Sequence, residues 1–372
     1  MIKKIMVVLG TRPEAIKLAP LIAALRARPD IFETIVCSSG QHREMLAQAL
    51  ETFGIEPEIN LDVMTPNQGL PDLTASLIQM LSETIARFRP DRVIVQGDTT
   101  TAFAAALAAF YQHVPVAHVE AGLRSHDRRN PFPEEVNRRL ITSIADIHFA
   151  PTQNAAAALK AESVSAEAVH VTGNTVVDAL QMLQGRLEAG GIEPVSPKMR
   201  ELGADGRPLI LVTCHRRENL GPDLLAICRA LDRLARRHPN HHLVFPVHLN
   251  PVVRTEVMPL LDNTANISLL DPVTYPDLVY LLSRAVLVLS DSGGIQEEAP
   301  SFGIPVLVLR RTTERSEGIE AGVAELVGAD EELIVQRATD LLSSIGRNRV
   351  QGPNPYGDGR ASERIVAILA ET

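Results

Sequence analysis

The chain of 372 residues has few cysteines, few aromatic residues and no excess of positive charge. Its three cysteines, Cys37, Cys214 and Cys228, stand far apart, with no CxxC or Cys/His spacing. They suggest neither a disulfide framework nor a zinc site, and they suit a reducing cytosol. A net charge of −9 argues against nucleic-acid and membrane-surface partners, since both require a positive field. An anionic ligand would have to be held by local cations and amide dipoles. No apolar run approaches the ~20 residues that a bilayer crossing needs. The opening MIKKIMVVLGTRPE has too short an apolar stretch for a signal peptide, so the expected location is cytoplasmic. Neither GxGxxG nor the Walker A pattern occurs, which argues against NAD and ATP as ligands. There is no internal repeat and no low-complexity tract.

What is present is an alternation of short β-rich runs with helical patterns. Apolar residues make up 45% and charged residues 22%, ordinary proportions for a globular chain too long for one core. Ile5–Leu9, Thr34–Cys37, Arg92–Val95, Val116–Val119, Ile147–Phe149 and Ala168–Thr172 read as strands in the first half. Leu209–Thr213, His242–Val247, Ile267–Leu269, Val286–Leu289 and Pro305–Leu309 read as strands in the second. Continuous apolar strands separated by helices imply parallel sheets covered on both faces. The expected fold is α/β, with two doubly wound domains, 1–172 and 173–360. The Gly- and Pro-rich Ala189–Pro208 reads as a surface approach to the second domain. A helical pattern follows the turn-forming NPYGDG, and nothing in it says on which domain it packs.

Ligands of such sheets bind beyond the carboxyl ends of the strands, and that is where polar residues cluster. The first strand runs into Gly10-Thr11-Arg12-Pro13-Glu14 and then Lys17. Thr11 and Glu14 have capping-box spacing. Arg12 and Lys17 read either as contacts to phosphate or sugar at a helix N-terminus or as solvated cations. Asp98 and Glu120 each follow a strand. Asp98 fits a helix N-cap, whereas Glu120, before Ala121-Gly122, does not. Glu134 opens a helix, where acidic residues are common in any case. Carboxylates converging from three elements would shift one another and share acid and base roles. His215, at a strand end beside Arg216 and Arg217, reads as a phosphate contact, an acid or a structural residue. Val286–Leu289 followed by Ser290-Asp291-Ser292-Gly293-Gly294 and a helix reads as a diphosphate cradle. Glu298 is placed to accept from a ribose, and Arg315 adds a cation near the same mouth. His248 reads equally as structural or ligand-contacting.

Together these motifs resemble the non-hydrolysing UDP-N-acetylglucosamine 2-epimerases of bacteria. The matching stretches are GTRPEAIKLAPL, QHREML, QGDTTT, HVEAGLRS, PFPEEVNRR, HRREN, PVHLNP, DSGGIQEEAP, TER and NPYGDG, in order along nearly the whole chain. The resemblance implies two Rossmann-like domains facing across a cleft, as in B-type glycosyltransferases, with the substrate between them. The C-terminal helix, 361–372, is expected to return to the first domain. The implied activity is reversible inversion of C2 of UDP-N-acetylglucosamine by elimination of UDP and re-addition, without redox cofactor or catalytic metal, in a homodimer. Such an enzyme would supply N-acetylmannosamine units for cell-surface polysaccharide.

By the same resemblance Asp98, Glu120, Glu134 and His215 match catalytic positions. Arg12, Lys17, Ser292, Gly293, Gly294, Glu298 and Arg315 match substrate- or UDP-contacting ones. The family is activated by its own substrate, and Gln41, Arg43, Gln68, Arg216 and His248 lie near positions for that second molecule. Three residues depart from the pattern. Asn67 stands where Arg is frequent and puts strong activator binding in question. Leu278 replaces an aromatic that stacks on uracil, and Ser316 replaces a Pro after TER. The competing readings are an epimerase of a related 2-acetamido UDP-sugar, a B-type glycosyltransferase, a hydrolysing relative and a non-catalytic sensor.

Overall fold

The computed structural model describes residues 2–41, 43–65, 68–190, 196–204, 206–216, 219–343 and 352–372. The apolar runs become parallel strands in two sheets. The first contains β1 (Lys3–Leu9), β2 (Phe32–Ser38), β3 (Ile59–Asn60), β4 (Arg92–Gln96), β5 (Val116–Val119), β6 (Ile147–Ala150) and β7 (Val169–Val171). The second contains β8 (Leu209–Thr213), β9 (His242–Pro246), β10 (Ile267–Leu270), β11 (Ala285–Ser290), β12 (Val306–Val308) and β13 (Ala324–Leu326). Their orders are β3-β2-β1-β4-β5-β6-β7 and β10-β9-β8-β11-β12-β13. Both are doubly wound, and the strand order reverses between β1 and β4 in one and between β8 and β11 in the other. At such a reversal the flanking loops diverge and leave a crevice at the carboxyl ends.

Strand burial explains the sequence pattern. Met6 through Leu9, Val93 through Val95 and Leu287 through Leu289 are all buried, because helices cover both faces and leave no polar side to alternate with. Two strands escaped expectation, β3 and β13, with two and three residues. Two residues carry no period, and in β13 Glu325 interrupts the apolar run. The expected surface approach Ala189–Pro208 contains a helix, Pro197–Ala204, which buries Met199 and Leu202 in the second core.

The chain forms two compact units: everything through Met182 together with Tyr356–Thr372, and Leu183–Pro355. The division falls inside the helix Thr175–Glu188, later than the expected break after Thr172. The start of that helix is tied to the first unit. Val176 and Val177 pack with Tyr356, and Asp178 accepts the amides of Ala361 and Ser362 at 3.2 and 2.7 Å. The last helix, Ala361–Glu371, lies against Arg12–Arg26 of the same unit. NPYGDG forms the return crossing. Asn354 donates to Glu297 and Ser301 of the second unit, and two residues later Tyr356 accepts the Asn174 amide of the first. No helix among the described residues is long and apolar enough to cross a membrane.

Candidate active site

In the first unit the polar groups gather around the reversal between β1 and β4. After Gly10 the helix Arg12–Arg26 begins with Thr11 as its cap. Glu14 reaches back to accept the amides of Gly10 and Thr11, at 3.1 and 2.8 Å, and the Thr11 hydroxyl at 2.8 Å. Its other oxygen accepts the Thr99 hydroxyl from the far side of the reversal, at 2.7 Å. Burial raises the Glu14 carboxyl to about 7, despite hydrogen bonds that lower it. Lys17 is not a solvated cation: it is buried and donates to Oε2 of Glu120. Arg12 is half-buried.

β4 and β5 pair with Gln96 opposite Val119, so Asp98 and Glu120 leave the sheet on adjacent loops. Asp98 is not the helix cap. Thr99 fills that role, accepting the Ala102 amide at 3.0 Å. Asp98 instead accepts from Arg138 through Nε, at 3.0 Å, and Nη2, while its carbonyl takes the Asn137 amide group at 2.9 Å. Glu120 has a φ of +61°, which for a residue with a side chain costs on the order of 1–3 kcal/mol. Its Oε2 accepts from Gln96 at 2.9 Å as well as from Lys17. The turn then passes Gly122, where a Cβ would lie 2.3 Å from the carbonyl oxygen of Ala155. Only glycine fits.

Glu134 is the first residue of the helix Glu134–Ile144 and is partly buried. Arg138, one turn later on the same side, is the residue that holds Asp98. Asp98, Glu120 and Glu134 thus belong to adjoining elements but sit in different settings. Beneath them His118 is fully buried and bonds the Gly97 carbonyl at 2.7 Å. Burial lowers it to about 3, and the neighbouring His148 to about 4, so both rings are neutral near pH 7. Gln41 accepts from Thr101 at 2.9 Å, and Gln68 accepts the Thr65 amide at 3.1 Å. The Arg43 side chain and Asn67 lie outside the described residues.

In the second unit the crevice lies between the loops after β8 and β11. Asp291, wholly buried, accepts the amides of His215 and Arg216 at 2.9 and 2.8 Å and the Asn219 side chain at 3.0 Å. Thr213 and Ser290 bond across the same gap at 2.6 Å. Ser292 begins the helix Gly293–Glu298, its amide bound to the Ser290 hydroxyl at 2.9 Å. The two glycines differ. A Cβ on Gly293 would lie 2.8 Å from Cζ of Arg315, whereas one on Gly294 would meet nothing nearer than 3.9 Å. Gly293 makes room for the Arg315 guanidinium, while Gly294 leaves open space.

Arg315 is nearly buried between carboxylates, with Nε on Glu297 at 3.0 Å and Nη1 on Glu314. Glu314 also takes Arg310 at 2.9 Å. Burial alone would raise the Glu314 carboxyl, but Arg315 and Arg310, with Arg216 further off, outweigh it and hold it well below the usual range. Glu298 is buried and accepts from Tyr275 at 2.9 Å. His215 is 44% exposed at its side chain and stacks on the exposed His248, with ring centroids 6.0 Å apart and planes 17° apart. Leu278 is half-buried against the core, and Ser316 simply opens the helix Ser316–Glu320. Sequence reasoning missed the groups that hold these residues: Arg138, Asp291, Glu297 and Glu314, and the reach of Glu14 to Thr99. One signal was available, because Arg138 stands four residues after Glu134.

Residues 23–370 match the family model described as UDP-N-acetylglucosamine 2-epimerase. The UDP-N-acetylglucosamine 2-epimerase of Escherichia coli K12 is 47% identical over 375 residues, covering 98% of each chain. That of Campylobacter jejuni is 46% identical over 375 residues, covering 99% of this chain and 98% of its own. The crystal structure of the Neisseria meningitidis UDP-GlcNAc 2-epimerase bound to UDP-GlcNAc superposes with a TM-score of 0.93 at 44% identity, covering 99% of this chain and 100% of that one. A Rickettsia africae glycosyltransferase, 14% identical with a TM-score of 0.62, shares the fold alone. Similarity of this extent, end to end, places the chain in the UDP-N-acetylglucosamine 2-epimerase family.

Proposed function

We propose that this chain interconverts UDP-N-acetylglucosamine and UDP-N-acetylmannosamine by anti elimination and re-addition of UDP. A carboxylate takes the C2 proton while the C1–O bond breaks and its electron pair leaves with UDP. The C1=C2 double bond that results is that of 2-acetamidoglucal. In the return step a UDP oxygen adds to C1 and C2 receives a proton on the opposite face. The sum is redox-neutral and calls for no redox cofactor. Two faces at one carbon need more than one acid or base.

The observation that carries this reading is the set of Asp98, Glu120 and Glu134 at adjoining loop and helix starts, each in a different setting. Differing environments let neighbouring carboxylates take different protonation states. The left-handed backbone of Glu120, with its side chain held by Lys17 and Gln96, is a strained position of the kind found at reacting centres. The leaving diphosphate is assigned to Ser292, Gly293, Gly294 and Arg315, with Glu298 toward the ribose and Arg12 and Lys17 toward substrate. His215 faces the developing charge. Amides and a preorganised guanidinium stabilise that charge without rearranging.

The test is incubation with UDP-N-acetylglucosamine alone in D2O, followed by NMR. Deuterium at C2 and a mixture of both epimers are expected without any acceptor. Conversion with the C2 hydrogen fully retained would refute elimination, and accumulation of free UDP would indicate a hydrolase. We further propose a cytoplasmic homodimer that supplies N-acetylmannosamine units for polysaccharide. Its activation by a second substrate molecule near Gln41, Arg43, Gln68, Arg216 and His248 would appear as sigmoidal kinetics, with the dimer visible by sedimentation.

A further inference from the structure

We infer that Asp291 is a positioning residue for His215, fixing which ring nitrogen carries the proton. The inference rests on the role proposed above for His215. Asp291 lies directly after β11 with no exposed surface, in a crevice where a charge is costly unless it is matched. One oxygen, Oδ2, is fully engaged by the His215 and Arg216 amides and the Asn219 side chain. Among the described residues no N–H or O–H bonds the other, Oδ1. What it does face is Nδ1 of the His215 ring, at 3.5 Å. The Cys214 thiol lies beside the same carboxylate; burial first, then Asp291, raises its pKa well above normal, so it stays neutral.

With only the weakly donating Cys214 thiol beside it, a buried carboxylate oxygen that faces the ring nitrogen favours the form with hydrogen on Nδ1. That leaves Nε2 as the outward nitrogen, the one that can meet a ligand oxygen. The same carboxylate grips the backbone of His215 and immediately precedes Ser292, so one side chain joins the ring to the loop assigned to the diphosphate. The other neighbour of the ring agrees with this arrangement. His248 Nδ1 accepts the Asn250 amide at 3.1 Å, so that stacked ring holds its own hydrogen on Nε2.

The decisive variant is Asp291→Asn. Its carbonyl can still take the amides, but its NH2 then points at Nδ1 and drives the ring hydrogen to Nε2. Turnover is expected to fall roughly 10²–10³-fold, with KM within about threefold of wild type. In a double-mutant cycle, Asp291→Asn added to His215→Asn should cost no more than about threefold further, because the two act as one unit. Multiplicative losses, or a KM that rises as kcat falls, would mark Asp291 as structural and overturn the inference. If His215→Asn alone is fully active, the role of His215 falls, and the inference with it. If His215→Asn is crippled while Asp291→Asn is near wild type, the inference fails alone. Nitrogen-15 spectra of histidine-labelled wild type need no folded variant of Asp291. A His215 signal with hydrogen on Nδ1 supports the inference, and a neutral ring with hydrogen on Nε2 defeats it.

Discussion

The two units solve one structural problem in opposite ways. Each reverses strand order between its first and fourth strands, and each bridges the resulting gap with a buried carboxylate. In the first unit the bridge is Glu14, in the first turn of the helix after β1, which collects two amides and two hydroxyls, including Thr99 from across the gap. In the second it is Asp291, on the loop after β11, which reaches back to His215, Arg216 and Asn219. The surroundings then diverge. The first crevice is flanked by further acids, and the second by amides, a histidine and an arginine held between Glu297 and Glu314. One doubly wound frame, used twice, thus carries an acid-lined crevice in one unit and, in the other, a crevice lined by amides, a histidine and an arginine, which the proposed function reads as an acid–base face and an anion-holding face.

If that division holds, variants on the two faces should separate turnover from binding. Asp98→Asn and Glu120→Gln are expected to lower turnover by roughly 10²–10⁴-fold while leaving UDP affinity within a few-fold, read by epimer NMR and calorimetric titration. Equal losses of both would collapse the distinction. On the other face, Gly293→Ala places a methyl 2.8 Å from the Arg315 guanidinium carbon and must displace it. UDP affinity should weaken roughly 10–100-fold, the scale of one charge-assisted contact, and match Arg315→Gln. A Gly293→Ala enzyme with unchanged UDP affinity would remove Arg315 from the anion site.

The frame was legible in the sequence because central strands covered on both faces are apolar nearly throughout, and eleven strands show as short β-rich runs. β3 did not, being two residues long, nor did β13, where Glu325 interrupts the apolar run. The break inside Thr175–Glu188 was hidden for another reason: a helix pattern is continuous whether or not its two ends pack on different cores. Strand-end residues such as Asp98, Glu120, His215 and Ser292 stood out by position. The residues that hold them did not, since a buried Glu14 reads as a cap and Arg138 carries no signal beyond its place in a helix. Their partners lie 85 and 40 positions away along the chain, a separation that no local spacing reveals.

Acidity offers a second way to part the two units. His118 and His148 are neutral in the fold, lowered by burial to about 3 and 4, but titrate near 6.5 once unfolded. The unfolded chain therefore binds protons first as the pH falls. Stability is full above 6.5 and is lost progressively toward 3. At pH 4.5 His118 alone should cost the first unit about 2 kcal/mol. Among described histidines of the second unit with lowered values, His238 and His241 are only partly buried. Hydrogen exchange corrected for intrinsic rates should show β5 peptides losing protection before β8 peptides. His118→Gln, which can still donate to Gly97, should abolish the difference. Parallel losses in both units would refute burial as the cause.

Glu14 works in the reverse direction. Its carboxyl is raised to about 7 from 4.5, so the fold holds a proton that the unfolded chain has released. Its contribution is whole below 4.5 and is lost as the pH rises through 7, a change on the order of 3 kcal/mol. Glu14→Gln keeps an acceptor for the Gly10 and Thr11 amides and can donate to Thr99, so it should flatten this alkaline decline without collapsing the loop. Urea unfolding at pH 6 and pH 8.5 measures it. The sharper consequence concerns the comparison itself: if Glu14 only braces its loop, Glu14→Gln should leave turnover within about threefold, in contrast to Asp291→Asn. A loss as large as that expected for Asp291→Asn would mean that both bridging carboxylates govern the chemistry, and that the two crevices differ less than their linings suggest.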